Sequence, residues 1–231
     1  MSAVRNNAEW CDIVCRTHGI NGTFHPHVWA SEVRTPPYYP DAVTLDRAAT
    51  VGAILSSVDT STPGCSVKDS FASLDLSSAG FRIIFESDWI RRAPGQLVGT
   101  RGDAVNWRRV GDGAELQSWE AAWSDDGVAT GLFRPALLDH VAVAVLGGYA
   151  GDRLIAGAIA NRSHGVVGVS NLYATGGDVD AAWSGCLAVV SDAWPRLPVV
   201  GYESGAALVA AHRAGFTSTG RLRVWRKDEG A

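Results

Sequence analysis

Lysine is almost missing from this chain. Of its 20 basic residues only Lys68 and Lys227 are lysines; the remainder are arginines. Acidic residues number 24, leaving a formal net charge of −4. There is no basic excess of the kind that neutralises a phosphate backbone, so nucleic acid is not an expected partner. No apolar run reaches the roughly 18 residues of a membrane-spanning helix. The stretch from Met1 to Asp12 is polar and has no secretion-signal core, so the expected setting is cytoplasmic, without a membrane. Cysteine is scarce too, and Cys11, Cys15, Cys65 and Cys186 do not make a disulfide framework. Cys11, Cys15 and His18 share one helical face, but no fourth ligand stands at zinc spacing, and no metal is expected. A Gly-x-Ser-x-Gly elbow is absent. Gly99-Thr-Arg-Gly-Asp103 lacks the Lys-Ser/Thr of a phosphate loop.

What is present is an ordinary globular composition, 46% hydrophobic and 19% charged, with 26 glycines and 9 tryptophans over 231 residues. That length fits one large domain or two small ones. Helical spacing marks Asn6–His18, Arg47–Val58, Ala114–Ser124, Val179–Ala193 and Gly205–Ala214, with a weak helix over Ser70–Ala79. Strands are expected over His27–Val33, Ala42–Leu45, Cys65–Lys68, Phe81–Arg91 and Leu197–Tyr202, and over Phe216–Lys227 as a strand or hairpin. The proline-rich segment Arg34–Asp41 cannot be helical and reads as a rigid loop that presents Tyr38 and Tyr39. From His140 onward the signal is strong. His140–Tyr149, Arg153–Asn161 and Val166–Ala174 read as an antiparallel meander, with turns at Gly147-Gly148 and Ser163-His164-Gly165.

The order β-β-β-α-β-α-β from His140, with Ala206–Phe216 closing on Gly215-Phe216 and followed by Gly220–Trp225, resembles the GNAT N-acetyltransferase family. The resemblance covers about 90 residues well and the first 110 loosely. It implies an α/β (α+β) fold, a mixed sheet flanked by helices, and an acyl-CoA-dependent N-acyltransferase acting on a small amine. It also implies acetyl-CoA or another acyl-CoA in a cleft where two central strands splay. Asn171, Leu172, Tyr173 and Ala174 on the first splayed strand would then meet the pantetheine arm. Gly176 and Gly177 would form the pyrophosphate loop at a helix N-terminus. The sequence departs from the family in two places. Asp178 and Asp180 flank the helix start where a basic or amide residue is usual. Ala211 stands where the family carries a tyrosine acid. A non-catalytic module of the same fold, or an enzyme of that fold that does not use CoA, is therefore the alternative.

Within that frame Glu203 is the expected base and Tyr173 the acid, with Tyr202 beside them, and Asn171 able to orient a carbonyl. Cys65–Phe81 aligns without a gap with Val200–Phe216, each segment ending in Ala-Gly-Phe. This echo implies two tandem GNAT-like lobes, an abbreviated one over 1–95 and a fuller one over 96–231. Asp69, Glu86 and Asp88 in the first lobe, with Tyr38 and Tyr39, are candidate contacts for a cationic amine.

Overall fold

The computed structural model describes residues 2–96 and 105–227. The linker expected at Pro94–Asp103, with its Gly99–Asp103 segment, lies mostly outside the described residues. The chain forms two compact units. Unit 1 is Met1–Trp89 with Thr219–Ala231, and unit 2 is Ile90–Ser218.

Unit 1 begins with helix α1 (Ser2–Thr17), which buries Trp10, Ile13, Val14 and both of its cysteines. Three short antiparallel strands follow: β1 (Thr23–Phe24), β2 (Val28–Ala30) and β3 (Ala42–Thr44). Helix α2 (Val51–Leu55) starts where Thr50 Oγ1 accepts from the Ala53 N–H, so it is far shorter than the periodicity over Arg47–Val58 predicts. Strand β4 (Ser66–Asp69) lies parallel to β3, and the long β5 (Phe81–Arg92) leads out of the unit. The helix expected over Ser70–Ala79 is a single 3-10 turn, Ser77–Ala79. Asp69 and Asp75 explain this: their carboxylates accept from the Phe71, Leu74 and Ser77 N–H groups and stabilise turns instead.

Unit 2 opens with β6 (Asn106–Arg109), a polar strand that the hydrophobic pattern does not mark, and α3 (Gly113–Trp123), capped by Asp112. The expected meander is β7 (Val143–Ala150), β8 (Arg153–Ser163) and β9 (Val166–Ala174). Gly147-Gly148 is not a turn. Both residues lie inside β7, and the chain reverses at Gly151-Asp152. Side chains are missing there for a packing reason. A Cβ on Gly147 would sit 2.6 Å from the Tyr149 ring, and one on Gly148 would sit 2.8 Å from the Trp107 indole. Then come α4 (Val179–Ala193), β10 (Val199–Glu203), α5 (Gly205–Arg213) and β11 (Thr217–Lys227). The strands of unit 2 run β10-β9-β8-β7-β6, with β10 parallel to β9. In unit 1 the order is β1-β2-β3-β4-β11, β11 being antiparallel to β4. Each unit packs its own apolar cluster, around Ile54, Leu76 and Phe81 in the first and around Trp183, Leu187 and Phe216 in the second.

Two stretches of the chain, β1–β5 and β7–β11, share an order of elements: three antiparallel strands, a helix, a strand parallel to the third, a second helical segment and a long strand. The second helical segment ends the same way in both. Gly80 and Gly215 take positive φ (78° and 89°), and each donates to the carbonyl three residues back. The following Phe81 and Phe216 N–H groups reach five residues back, to Leu76 and Ala211. This is the Schellman arrangement, and Gly19-Ile20 repeats it after α1.

Candidate active site

The site in unit 2 is made by a parallel pair that stops pairing early. β9 and β10 are in register only at Val167–Val199 and Gly168–Val200. Gly201 permits a close approach of the two strands, because a Cβ there would lie 2.8 Å from the Val169 carbonyl oxygen. Beyond it the strands run on separately, to Ala174 and to Glu203. The β10-facing edge of β9 is therefore left without a strand partner over its second half.

A bulge sits on this stretch. Across the β8–β9 ladder Ile159 faces Ser170 and Gly157 faces Tyr173, so Ala158 alone opposes Asn171 and Leu172. Asn171 takes up the extra length with φ 54°, a left-handed conformation that asparagine tolerates better than most side chains. The Ser170 hydroxyl just before it is buried with no hydrogen-bond partner among the described residues.

At the end of β10, Glu203 is half-buried and makes no ion pair or side-chain hydrogen bond among the described residues. Desolvation alone pushes its carboxyl up to about 7. Tyr202 is its strand neighbour, so the two side chains point to opposite sheet faces. Tyr173 turns towards α3. Its hydroxyl donates to the Trp119 carbonyl at 3.4 Å, and the rings meet edge-on at 5.3 Å. Burial holds its phenol well above the usual tyrosine range. Asn171, Leu172 and Ala174 thus lie on the part of β9 beyond its pairing with β10, and Glu203 ends β10. Leu172 packs against the apolar cluster of the unit, and the Tyr173 hydroxyl is directed to the helix.

The loop between β9 and α4 fits an anion poorly. Its amides are largely spent. Thr175 N donates to Ile155 O, Gly177 N to Ala174 O, Val179 N to Gly177 O, and Ala181 N to Asp178 Oδ1. Asp178 is the helix N-cap. Asp180 is gripped by Arg213 from α5 through contacts of 2.9–3.1 Å, a pair that no sequence spacing reveals. The strand edge thus fits a pantetheine arm, whereas the Gly176-Gly177 loop supplies little for a pyrophosphate.

Unit 1 has the corresponding parallel pair, β3 and β4, but there the gap is closed. The Ser70 N–H donates to Thr44 Oγ1 at 2.8 Å across the strand ends. Lys68, in the strand-end segment aligned with Glu203, is buried and donates to Asn7 Oδ1 at 2.9 Å. Asp69 is wholly buried and occupied by the turn amides. Glu86 is bound by Arg223 at 2.5 Å and Arg221 at 3.2 Å. Asp88 is half-buried on the same face. Tyr39 is buried edge-on to Trp10, and Tyr38 is exposed with φ 69°. Within unit 1 these five side chains are dispersed among a turn, an ion-pair cluster and a core contact.

No family model and no curated protein sequence matches the chain. Solved structures do. A GCN5-related N-acetyltransferase from Kribbella flavida superposes with a TM-score of 0.67, covering 99% of this chain and 96% of its own at 12% identity. The chain has the GNAT fold. A GCN5-related N-acetyltransferase-like protein from Streptococcus suis shares that fold (TM-score 0.56, 10% identity, coverage 96% and 95%). A conserved protein of unknown function from Staphylococcus epidermidis is also similar (TM-score 0.57, 12% identity, coverage 73% and 74%). In GNAT terms the strands that part are β9 and β10, and the chain's departures lie in the loop and helices around them.

Proposed function

We propose that the chain is an acyl-CoA-dependent N-acyltransferase for a small amine, working at the β9–β10 opening of unit 2. The observation that carries this reading is Glu203, a carboxyl raised to about 7 by desolvation at the point where two parallel strands part. A general base is most effective when its pKa lies near the working pH. Bound acyl-CoA would supply the acyl group as a thioester. Glu203 accepts the proton that an ammonium must lose before it becomes a nucleophile. The Asn171–Leu172 bulge offers backbone groups released from the β8 ladder, placed to hold a carbonyl oxygen. The Tyr173 hydroxyl is engaged at Trp119 and Tyr202 points to the sheet face opposite Glu203, so CoA would leave as the thiolate and take its proton from solvent. Unit 1, with its shared element order and closed gap, reads as an abbreviated second lobe that lends no opening of its own.

The spent amides of the 175–181 loop favour a second reading, a GNAT-fold protein that binds its ligand without a CoA pyrophosphate. Titration calorimetry with acetyl-CoA separates the two. The transferase reading expects saturable binding below millimolar concentration, and turnover of a small-amine panel that Glu203→Gln abolishes without loss of fold. Absence of binding at millimolar acetyl-CoA overturns it.

A further inference from the structure

A cavity of about 310 Å³ lies on the other flank of β9, towards β8 and β6, and takes no residue from β10. Its floor and sides are small: Ala156 on β8, Ala174 at the end of β9, and Ala181 and Ala182 in the first turn of α4. Its largest wall is the indole of Trp107, with Val105 and Ile155 also in the lining. That ring is held by two glycines. A Cβ on Gly148 would lie 2.8 Å from it, and one on Gly185 of α4 would lie 1.9 Å away. The indole is seated by the absence of two side chains, and alanines leave open the space beside it.

Two charges line this cavity. Arg153, exposed at the start of β8, has no ion pair or hydrogen bond among the described residues. Asp178 is oriented by its cap bond to Ala181 N. A free guanidinium beside an aromatic wall matches a carboxylate attached to a flat ring. The carboxylate of Asp178 opposes a multiply charged ligand such as a nucleotide di- or triphosphate. Size narrows the class further. A dry cavity of roughly 150 Å³ holds benzene, so about twice that volume holds a fused two-ring compound.

We infer that unit 2 carries a second small-molecule site, on the β8 side of β9 and bordering the 175–178 loop, for a flat aromatic monocarboxylate of about two rings. The ring lies against Trp107 between the alanines, and the carboxylate pairs with Arg153. The inference stands apart from the transferase reading, since it needs neither CoA nor an amine.

Titration calorimetry on the full chain with 2-naphthoate tests it. Saturable one-site binding is expected in the micromolar to low millimolar range. Binding by 2-naphthamide and by adenosine diphosphate should be at least tenfold weaker. Arg153→Ala should weaken 2-naphthoate at least tenfold. Ala181→Leu should abolish binding by filling the space from an exposed helix position, with melting temperature unchanged. Failure of 2-naphthoate to bind at 10 mM overturns the site. So does wild-type affinity in both variants, and equal affinity for the amide removes the role given to Arg153. Acetyl-CoA binding in the Arg153→Ala variant, whose change lies on β8 outside the 175–181 loop, reports on the strand opening alone, so failure of one site is distinguishable from failure of the other.

Discussion

At the scale of single residues, the raised carboxyl of Glu203 ties chemistry to stability with opposite signs. Its folded pKa of about 7 lies above the ordinary 4.5, so the native state holds the proton more tightly than the unfolded chain does. Stability is therefore full below about pH 4.5, falls as pH rises towards 7, and levels off above it. In the proposed role of base, which must be ionised to act, Glu203 would gain activity over the upper part of that window. Glu203→Gln removes the titration. The variant should match the wild type near pH 4 and exceed it at pH 8 by up to about 3 kcal/mol, measured by urea unfolding at both pH values. Equal stability at pH 8 would show that the carboxyl is not desolvated. Asp41 is the opposite case, a buried charge with every oxygen used. It takes Arg34 at 2.6 Å, Thr35 N at 3.0 Å and Ser66 N at 2.8 Å, and so ties the proline-rich loop to β4. Asp41→Ala leaves Arg34 without its countercharge and should cost about 3–5 kcal/mol in denaturant unfolding.

At the scale of elements, glycine placement decides what can approach what. Gly185 brings α4 down onto the Trp107 indole. Gly185→Ala puts a methyl group inside the ring and should lower stability by about 1–3 kcal/mol. Calorimetric melting should reveal the loss, and the change should leave Glu203 chemistry largely intact. Elements whose reasons are local were legible in the sequence. The meander β7–β9 and helix α4 follow from apolar alternation and length, and α5 from its alanines and the Gly215 stop. Elements set by tertiary or turn chemistry were not. The Gly147-Gly148 pair looks like a turn until the Tyr149 and Trp107 rings are seen to need the space. The 70–79 segment has helical residues, but Asp69 and Asp75 bind the amides first. β6, with the sequence Asn-Trp-Arg-Arg, is held by its ladder to β7 and has no apolar pattern to announce it. The site divides in the same way. The position of Ala174 and Glu203 at strand ends follows from the hydrophobic pattern, whereas Asn171 lies inside β9 at a bulge the pattern does not mark. The engagement of Tyr173 by Trp119 and the Asp180–Arg213 grip depend on partners remote in sequence, 54 and 33 residues away.

At the scale of the whole molecule, a 231-residue chain with no matching family model shares its fold with acetyltransferases at identities near one residue in eight. The fold survives because its determinants are backbone ones: parting strands, a bulge, and glycine-stopped helices that many side-chain sets satisfy. The division of the chain also has a consequence for synthesis. Unit 2 is one continuous stretch, so it can close as it leaves the ribosome. Unit 1 cannot, because β4 completes its ladder with Arg223–Arg226 of β11, which follows all of unit 2. At roughly 5–20 residues per second, β4 emerges with that edge unpaired and waits seconds to tens of seconds for its partner. The half of the protein made first is the half finished last, and until then its open strand is where a chaperone, or a second nascent chain, would find it.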